Sequence, residues 1–482
     1  MPHPRSIGRD ALALGFFVPV LLFAPAFVAG APESVPPPAA PLSLEDGASR
    51  ILGLALSQSR AYERLAYLSD RIGHRLSGSP ALERAVAWTT ATLQEDGLEV
   101  RNEPVMVPHW VRGDARARIV TPVESDMALL ALGGSVPTPP GGVRAPVARI
   151  ESLDALAELP DGALDGKIAF FSRPMKRGGA DGYGYGQASA LRVRGPSAAA
   201  RKGAIASMVR SLGTADYRLP HTGMLSYEDG APRIPAIAIA VEDALHIERL
   251  LDAGDTVEVE FEIGCETLPD APSANVVADL RGREKPEEIV LIACHLDSWD
   301  VGQGAIDDGS GCAIVMETLR LLKAHDLVPR RTIRGVLYTN EENGLRGGRE
   351  YAKAHADEME NHVAAIESDS GAGTPVGFGV SAGEGGVERV RRLTRALRVI
   401  DADDVTDRGG GADIGPMRPL GVPQIGLRQD THYYFDYHHT TADTLDKIDR
   451  DDLDRNVAAM AVLAWSLAET ETRLPRLPVE GD

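Results

Sequence analysis

The stretch "EIVLIACHLDSWDVGQGAIDDGSGCAIVMETLRLLKAHD", Glu288–Asp326, decides the fold. It opens on an apolar run without alternation, which predicts a strand covered on both faces. It closes, from Cys312, on apolar residues at three- and four-residue spacing, which predicts an amphipathic helix. Between the two stand His295, Asp297, Asp300, Asp307 and Asp308, interleaved with Gly302, Gly304, Gly309 and Gly311. Charge with little side-chain bulk, at the carboxyl end of a buried strand, falls where open α/β sheets bind ligands. Adjacent strand residues face opposite sides, so if His295 turns to a site, Cys294 turns to the core. No Lys-Ser/Thr pair follows the glycines, which argues against a phosphate-binding loop.

Strands and helices alternate beyond this unit. "RTIRGVLYTN" is followed by "GLRGGREYAKAHADEM", and "HVAAIES" and "GVPQIGL" supply further strands. The expected fold class is α/β, a three-layer sandwich with a mainly parallel central sheet over residues 271–475. Upstream, 43–114 reads as a helical part of the same unit, with Ser79-Pro80 as a helix start. Residues 115–270 change texture to short β-rich runs, "GKIAFFS", "AIASMV", "IPAIAIA" and "VEVEFEI", and read as an inserted region. At the N-terminus Arg5 and Arg9 precede an apolar run and small residues, so 1–30 reads as a secretory signal peptide and 31–42 as a Pro-rich linker. The expected location is secreted or periplasmic, with no membrane attachment after cleavage.

Composition narrows the partners. A formal net charge of -20, from 50 Lys+Arg against 70 Asp+Glu, offers no basic field for nucleic acid or anionic membranes. Three cysteines, Cys265, Cys294 and Cys312, make no disulfide framework, and the last two read as small buried thiols.

Charge collects at three successive strand ends: His295 and Asp297, then Glu341 and Glu342, then Glu367 and Asp369. "YHHTTADT" adds His438, His439 and Asp443. Carboxylates converging on one sheet edge repel one another unless a cation sits among them. Histidine and carboxylate without cysteine point to zinc, or to manganese or cobalt. Two adjacent metals are more economical than one, because the set includes a carboxylate able to bridge.

The motifs "HLDSWDVGQGAIDDGSG", "NEENGLRGG", "ESDSG", "GADIGPMRPLGVP" and "HHTTADT" resemble, in order, those of the co-catalytic two-zinc aminopeptidase/carboxypeptidase superfamily. The resemblance extends over about 43–471 and includes "RLSGSPALERAV", "VPHWVRG" and "PHTGMLSYEDGAPRIPAIAIAVEDA". It implies two Zn2+ per chain, one held by His295 and Asp369, the other by Glu342 and His439, with Asp307 as the bridge. It further implies Glu341 as general base and Asp297 as the acid that orients the His295 ring. Residues 115–270 resemble the superfamily's protease-associated domain, and 271–475 its zinc peptidase domain.

The activity so implied is that of a secreted metallo-exopeptidase, a homodimer hydrolysing dipeptides or short peptides through a water activated between two zinc ions. An aminopeptidase trimming longer peptides is the enzymatic alternative, and a lone-zinc acyl-transfer enzyme resembling glutaminyl cyclases is a further one. A non-catalytic, transferrin-receptor-like binding protein is the alternative of another class, although such relatives lose ligands that are all present here. Simple aminopeptidases of the superfamily place tyrosine before the final ligand, where this chain has His438. Possible substrate contacts are His438, Tyr434 and Arg428, the last either as a carboxylate anchor or as an ordinary surface arginine. Adjacent side chains are expected to diverge, so His438 and His439 should not share a metal. His74, His221, His246, His325, His355 and His362 are expected to be surface or locally satisfied residues.

Overall fold

The computed structural model describes residues 42–178 and 182–479, together with Gly15. The expected signal peptide, Gly15 apart, and all but the last residue of the linker lie outside the described residues. Among these no helix is long and apolar enough to cross a membrane.

The strand Lys285–His295 sits at the centre of an eight-stranded sheet. Its side chains alternate between two cores: Val290, Ile292 and Cys294 pack with Cys312 and the helix Arg450–Glu469, while Ile289, Leu291 and Ala293 pack with Tyr338 and Tyr351. Burial on both faces is what an unbroken apolar run requires. The sheet order is Glu99–Val111, Glu266–Leu280, Arg331–Tyr338, Lys285–His295, His362–Glu367, Gln424–Gln429, Pro375–Ser381, Asp404–Thr406. The four middle strands run parallel. The flanks are antiparallel, through Glu266–Leu280 on one side and Pro375–Ser381 on the other. The expected mainly parallel sheet is therefore a mixed one with a parallel centre. An apolar run reports burial on both faces but not strand direction, which the connections set.

The helix after the decisive strand runs Ser310–Ala324, and the upstream helices are Leu44–Gln58, Ala61–Tyr67 and Pro80–Glu95. Ser79 caps the last of these, its Oγ accepting from the Leu82 N–H at 3.2 Å, with Pro80 in the first turn where its missing N–H costs nothing.

A second eight-stranded mixed sheet uses only strands between Ala115 and Ile263. The runs read as β-rich each supply one: Ile168–Phe171, Ala206–Arg210, Ala236–Ile239 and Glu258–Ile263. Its core reaches the decisive loop, since Trp299 packs into it beside Trp110. Arg112 lies against both rings, 5.0 and 5.7 Å from their centroids, and pairs with Asp300. Asp300 thus fastens the loop after the central strand to the second sheet.

Candidate active site

Three adjacent parallel strands, Arg331–Tyr338, Lys285–His295 and His362–Glu367, end on one edge and deliver Glu341 and Glu342, His295, and Asp369 to it. Asp307 arrives on the loop before the helix Ser310–Ala324, and His438 and His439 come from the segment after Tyr434–Tyr437. Asp307 is the centre of the group. Its Oδ1 lies 3.1 Å from Nε2 of His295, and its Oδ2 lies 3.1 Å from Nε2 of His439 and 3.2 Å from that of His438. Asp369 Oδ1 stands 3.4 Å from Nε2 of His295, and Glu342 Oε2 stands 3.0 Å from Nε2 of His439. The two oxygens of one carboxylate therefore face two ligand groups.

Three features show that these residues suit metal ions. Asp307, Glu342 and His439 bring ligand atoms within 4.8 Å of one another, and His295 and Asp369 lie equally close in a second group whose third member, Asp308, has both oxygens taken by backbone N–H groups. Asp307 Oδ2 is buried and meets hydrogen-bond geometry with neither nearby imidazole. Finally, Nδ1 of His295 faces the Asp297 carbonyl at 3.0 Å and Nδ1 of His439 the Thr222 carbonyl at 3.3 Å. Each Nδ1–H donates there, which leaves the Nε2 lone pair pointing at the carboxylates, the arrangement metal-bound histidines need. Electrostatics agree. Burial, then the Asp307 charge, pushes Glu342 up to about 7, and burial likewise raises Glu341 and Asp369. Burial also opposes protonation of His295, yet the carboxylates of Asp297, Asp307 and Asp369 around the ring outweigh that and hold its pKa well above the usual range. Protons balance the buried negative charge here, and a divalent cation would displace them.

Other carboxylates in the region hold backbone. Asp297 accepts the N–H of Glu341 at 3.0 Å and of Glu342 at 3.3 Å, so it fixes the Glu341–Glu342 turn, and its carboxylate stays 3.7 Å from the His295 ring it was expected to orient. The ring is oriented by the main-chain carbonyl of the same residue. Asp308 accepts from His295 N and Gly311 N, and Asp443 from the N–H groups of Ala305, Ile306 and Asp307. Glu367 accepts from Asp413 N and Ile414 N rather than facing the site. Cys294 and Cys312 are buried free thiols.

The two adjacent histidines do not diverge as expected. Their rings stack at 3.7 Å between centroids, because His439 adopts a left-handed φ of 58° that turns its ring back over His438. His221, expected to be a surface or locally satisfied residue, is buried beside the site, its Nε2 2.9 Å from Nδ1 of His438. Nδ1 of His221 has no partner among the described residues. A proton on that nitrogen would be an orphaned buried donor, and would also set the bare Nε2 of His438 against the Asp307 carboxylate. Both penalties vanish when His221 donates from Nε2 and His438 carries its own proton on Nε2, pointing into the site. This tautomer makes His438 a donor and leaves ligation to His439. Only the position of His221 in "PHTGMLS", one of the motifs carrying the resemblance, hinted at its placement.

A cavity of about 410 Å³ opens on the group, lined among others by Glu341, Glu342, Asp307, Asp369, Tyr434 and His438. Tyr434 packs on His438 at 4.8 Å between ring centroids. Arg428 does not line this cavity; it pairs with Asp404 at 2.6 Å, both residues exposed or half-exposed.

Residues 275–464 match peptidase family M28. A carboxypeptidase Q of Mus musculus is 39% identical over 436 residues, 90% of this chain and 91% of that protein. The crystal structure of a peptidase M28 precursor from Shewanella amazonensis SB2B superposes with a TM-score of 0.86 at 42% identity, covering 90% of this chain and 99% of that one. An aminopeptidase from Aneurinibacillus sp. strain AM-1 shares the fold, with a TM-score of 0.63 at 23% identity over 91% and 98% of the two chains. On this identity across nine-tenths of both chains, the protein belongs to peptidase family M28, alongside the carboxypeptidase Q enzymes, and is a metallopeptidase.

Proposed function

We propose that this M28 exopeptidase hydrolyses dipeptides or very short peptides, with two zinc ions held by His295 and Asp369 and by Glu342 and His439, and Asp307 between them. The observation that carries the reading is Asp307 itself, a buried carboxylate whose two oxygens face separate ligand groups. When bound, the zinc ions supply Lewis acidity, polarising the scissile carbonyl and acidifying water. Glu341 lines the cavity, and its carboxylate hydrogen-bonds nothing among the described residues, so it is free to take a proton from the attacking water and return it to the leaving amine. Asp297 holds Glu341 by its backbone, and the Nε2–H of His438 donates to negative charge developing on the carbonyl oxygen.

In this reading residues 115–270 are a protease-associated domain inserted between 43–114 and 271–475. The signal peptide at 1–30 directs export, and the mature protein is a homodimer. The complete ligand set and Glu341 support an enzyme over a transferrin-receptor-like binding protein. The test is to measure metal per chain and to compare a dipeptide with its C-terminal amide and its N-acetyl form. Two metals, with hydrolysis of the free dipeptide above both modified forms, is the expected result. Tolerance of the amide but not of the acetyl group would replace the dipeptidase reading by an aminopeptidase, and absence of stoichiometric metal would remove the enzyme reading.

A further inference from the structure

The cavity has a second polar wall, contributed by the segment that builds the second sheet. Arg192, on the helix Tyr185–Arg201, is 6% exposed and lines the same cavity as Asp307, Glu341, Asp369 and His438. Its Nε–H donates to the Met224 carbonyl at 3.3 Å, and Nη1 donates to the Thr222 carbonyl at 3.2 Å and to the Tyr185 hydroxyl at 3.3 Å. The guanidinium lies flat on Gly223, where a Cβ would come within 2.2 Å of Cζ. All of these neighbours are neutral. Among the described residues no carboxylate stands within ion-pair distance, and Nη2 donates to nothing.

The other buried arginines differ. Arg64, Arg112, Arg320, Arg331 and Arg334 each pair with a carboxylate. Arg75 directs its donors to the carbonyls of Gly73, Leu296, Gln303 and Gly304. A guanidinium cannot release its proton to escape burial, so Arg192 carries an uncompensated charge with a fork of donors left over. Such a group is built to receive an anion, and a carboxylate is the planar one that matches it.

We propose that Arg192 binds the free α-carboxylate of the substrate's C-terminal residue. The proposal rests on the exopeptidase reading and makes it specific. From a scissile carbonyl carbon to the α-carboxylate carbon of the following residue is about 4 Å at most. The carboxylate of the residue just beyond the scissile bond thus stays within the one cavity that Arg192 and Glu341 both line, and held there it makes the enzyme release one C-terminal residue at a time. Arg349 also lines the cavity, but it is exposed and donates to the Gly344 carbonyl, so water already solvates its charge.

The test uses the full-length, metal-loaded protein with an unsubstituted dipeptide and its C-terminal amide. For Arg192→Met, kcat/KM on the dipeptide should fall about 100-fold, chiefly through KM, from the loss of charge-assisted hydrogen bonds. On the amide it should change less than threefold. Arg192→Lys should recover part of the loss, and Arg349→Met should leave both substrates within threefold. Equal losses on acid and amide would make Arg192 a structural residue and overturn the proposal. So would a wild-type enzyme that cleaves the amide as fast as the acid, or a loss that follows Arg349. Titration of leucine and leucinamide into wild type and Arg192→Met separates the two readings. If no peptide is cleaved yet leucine binds, leucinamide does not and Arg192→Met binds neither, the anion site stands without the peptidase reading. If leucine binds both proteins alike, or neither, the anion site falls.

Discussion

Replacing Asp297 with asparagine tests how the site holds Glu341, the base in the proposed reaction. The side chain keeps its shape, and its carbonyl oxygen retains the Glu341 N–H at 3.0 Å. The new amide NH2 then faces the Glu342 N–H, which sat 3.3 Å from the carboxylate oxygen it replaces, so two donors meet in a buried space. One charge-assisted hydrogen bond is lost, and a buried N–H is left without an acceptor, together about 2–4 kcal/mol. Spread over the placement of the Glu341–Glu342 turn, that bounds the effect at about 30- to 1,000-fold, and residues that support a metal site in this way typically cost 10- to 100-fold. The expected outcome for Asp297→Asn is a fall in kcat/KM on a dipeptide of about 30- to 100-fold, with weaker retention of the metal beside Glu342 during graded chelation. The His295 side of the site should hold its metal, because the ring is oriented by the main-chain carbonyl of residue 297, which the substitution keeps. Activity and both metal affinities within threefold of wild type would refute this account of Asp297.

Further predictions concern chemistry and stability. Glu341→Gln should retain its metals and lose about 100- to 10,000-fold in kcat; undiminished turnover would move the base elsewhere. Burial holds His362 down to about 4, with Tyr351 Oη at 3.0 Å from its Nε2, so between pH 6.5 and 4 the unfolded chain binds a proton the folded one refuses, and stability falls as pH falls. Between pH 7.5 and 4.5 this group removes roughly 2–3 kcal/mol, and urea unfolding of His362→Gln should show a pH-dependent loss smaller by that amount. Gly47, on the helix Leu44–Gln58, faces the Trp465 ring, where a Cβ would lie 2.1 Å from Cη2. Gly47→Val should therefore destabilise by about 1–3 kcal/mol in urea unfolding, without changing metal content.

Much of the fold and the site was legible because both depend on local pattern. The run at Ile289–Cys294 had to be buried on both faces, and three such strands in parallel put their following residues on one edge. That alone collected His295, Glu341, Glu342 and Asp369. What stayed hidden depends on contacts between distant segments. His221 and Arg192 come from the part of the chain that carries the second sheet, and nothing in "PHTG" or "LRVRG" shows that the first reaches His438 or that the second lines the cavity with Asp307 and Glu341. Arg428 stayed open between two roles for a related reason: an arginine at a strand end is equally compatible with a substrate or with the neighbouring Asp404, and only the register of Gln424–Gln429 beside Pro375–Ser381 decides for the surface pair. Sheet direction was missed as well, since the antiparallel flanks have no periodicity that distinguishes them from the parallel centre.

The roles of the aspartates in the opening stretch follow from what occupies their lone pairs. Asp297, Asp308 and Asp443 spend both oxygens on backbone N–H groups, and Asp300 is taken by Arg112. These side chains hold the turns in place, and since the N–H groups already satisfy their oxygens, a cation gains little from them. Asp307 has its N–H-facing work done by Asp443, which grips the backbone of residues 305–307, so both of its own oxygens stay available. One acid thus frees another. Spacing could not separate the two kinds, because an aspartate that accepts from backbone and one whose oxygens stay free for a cation occupy the same loop with the same chemistry. The separation comes from the fold, which brings "ADT" at the far end of the chain under the loop that began with "HLD".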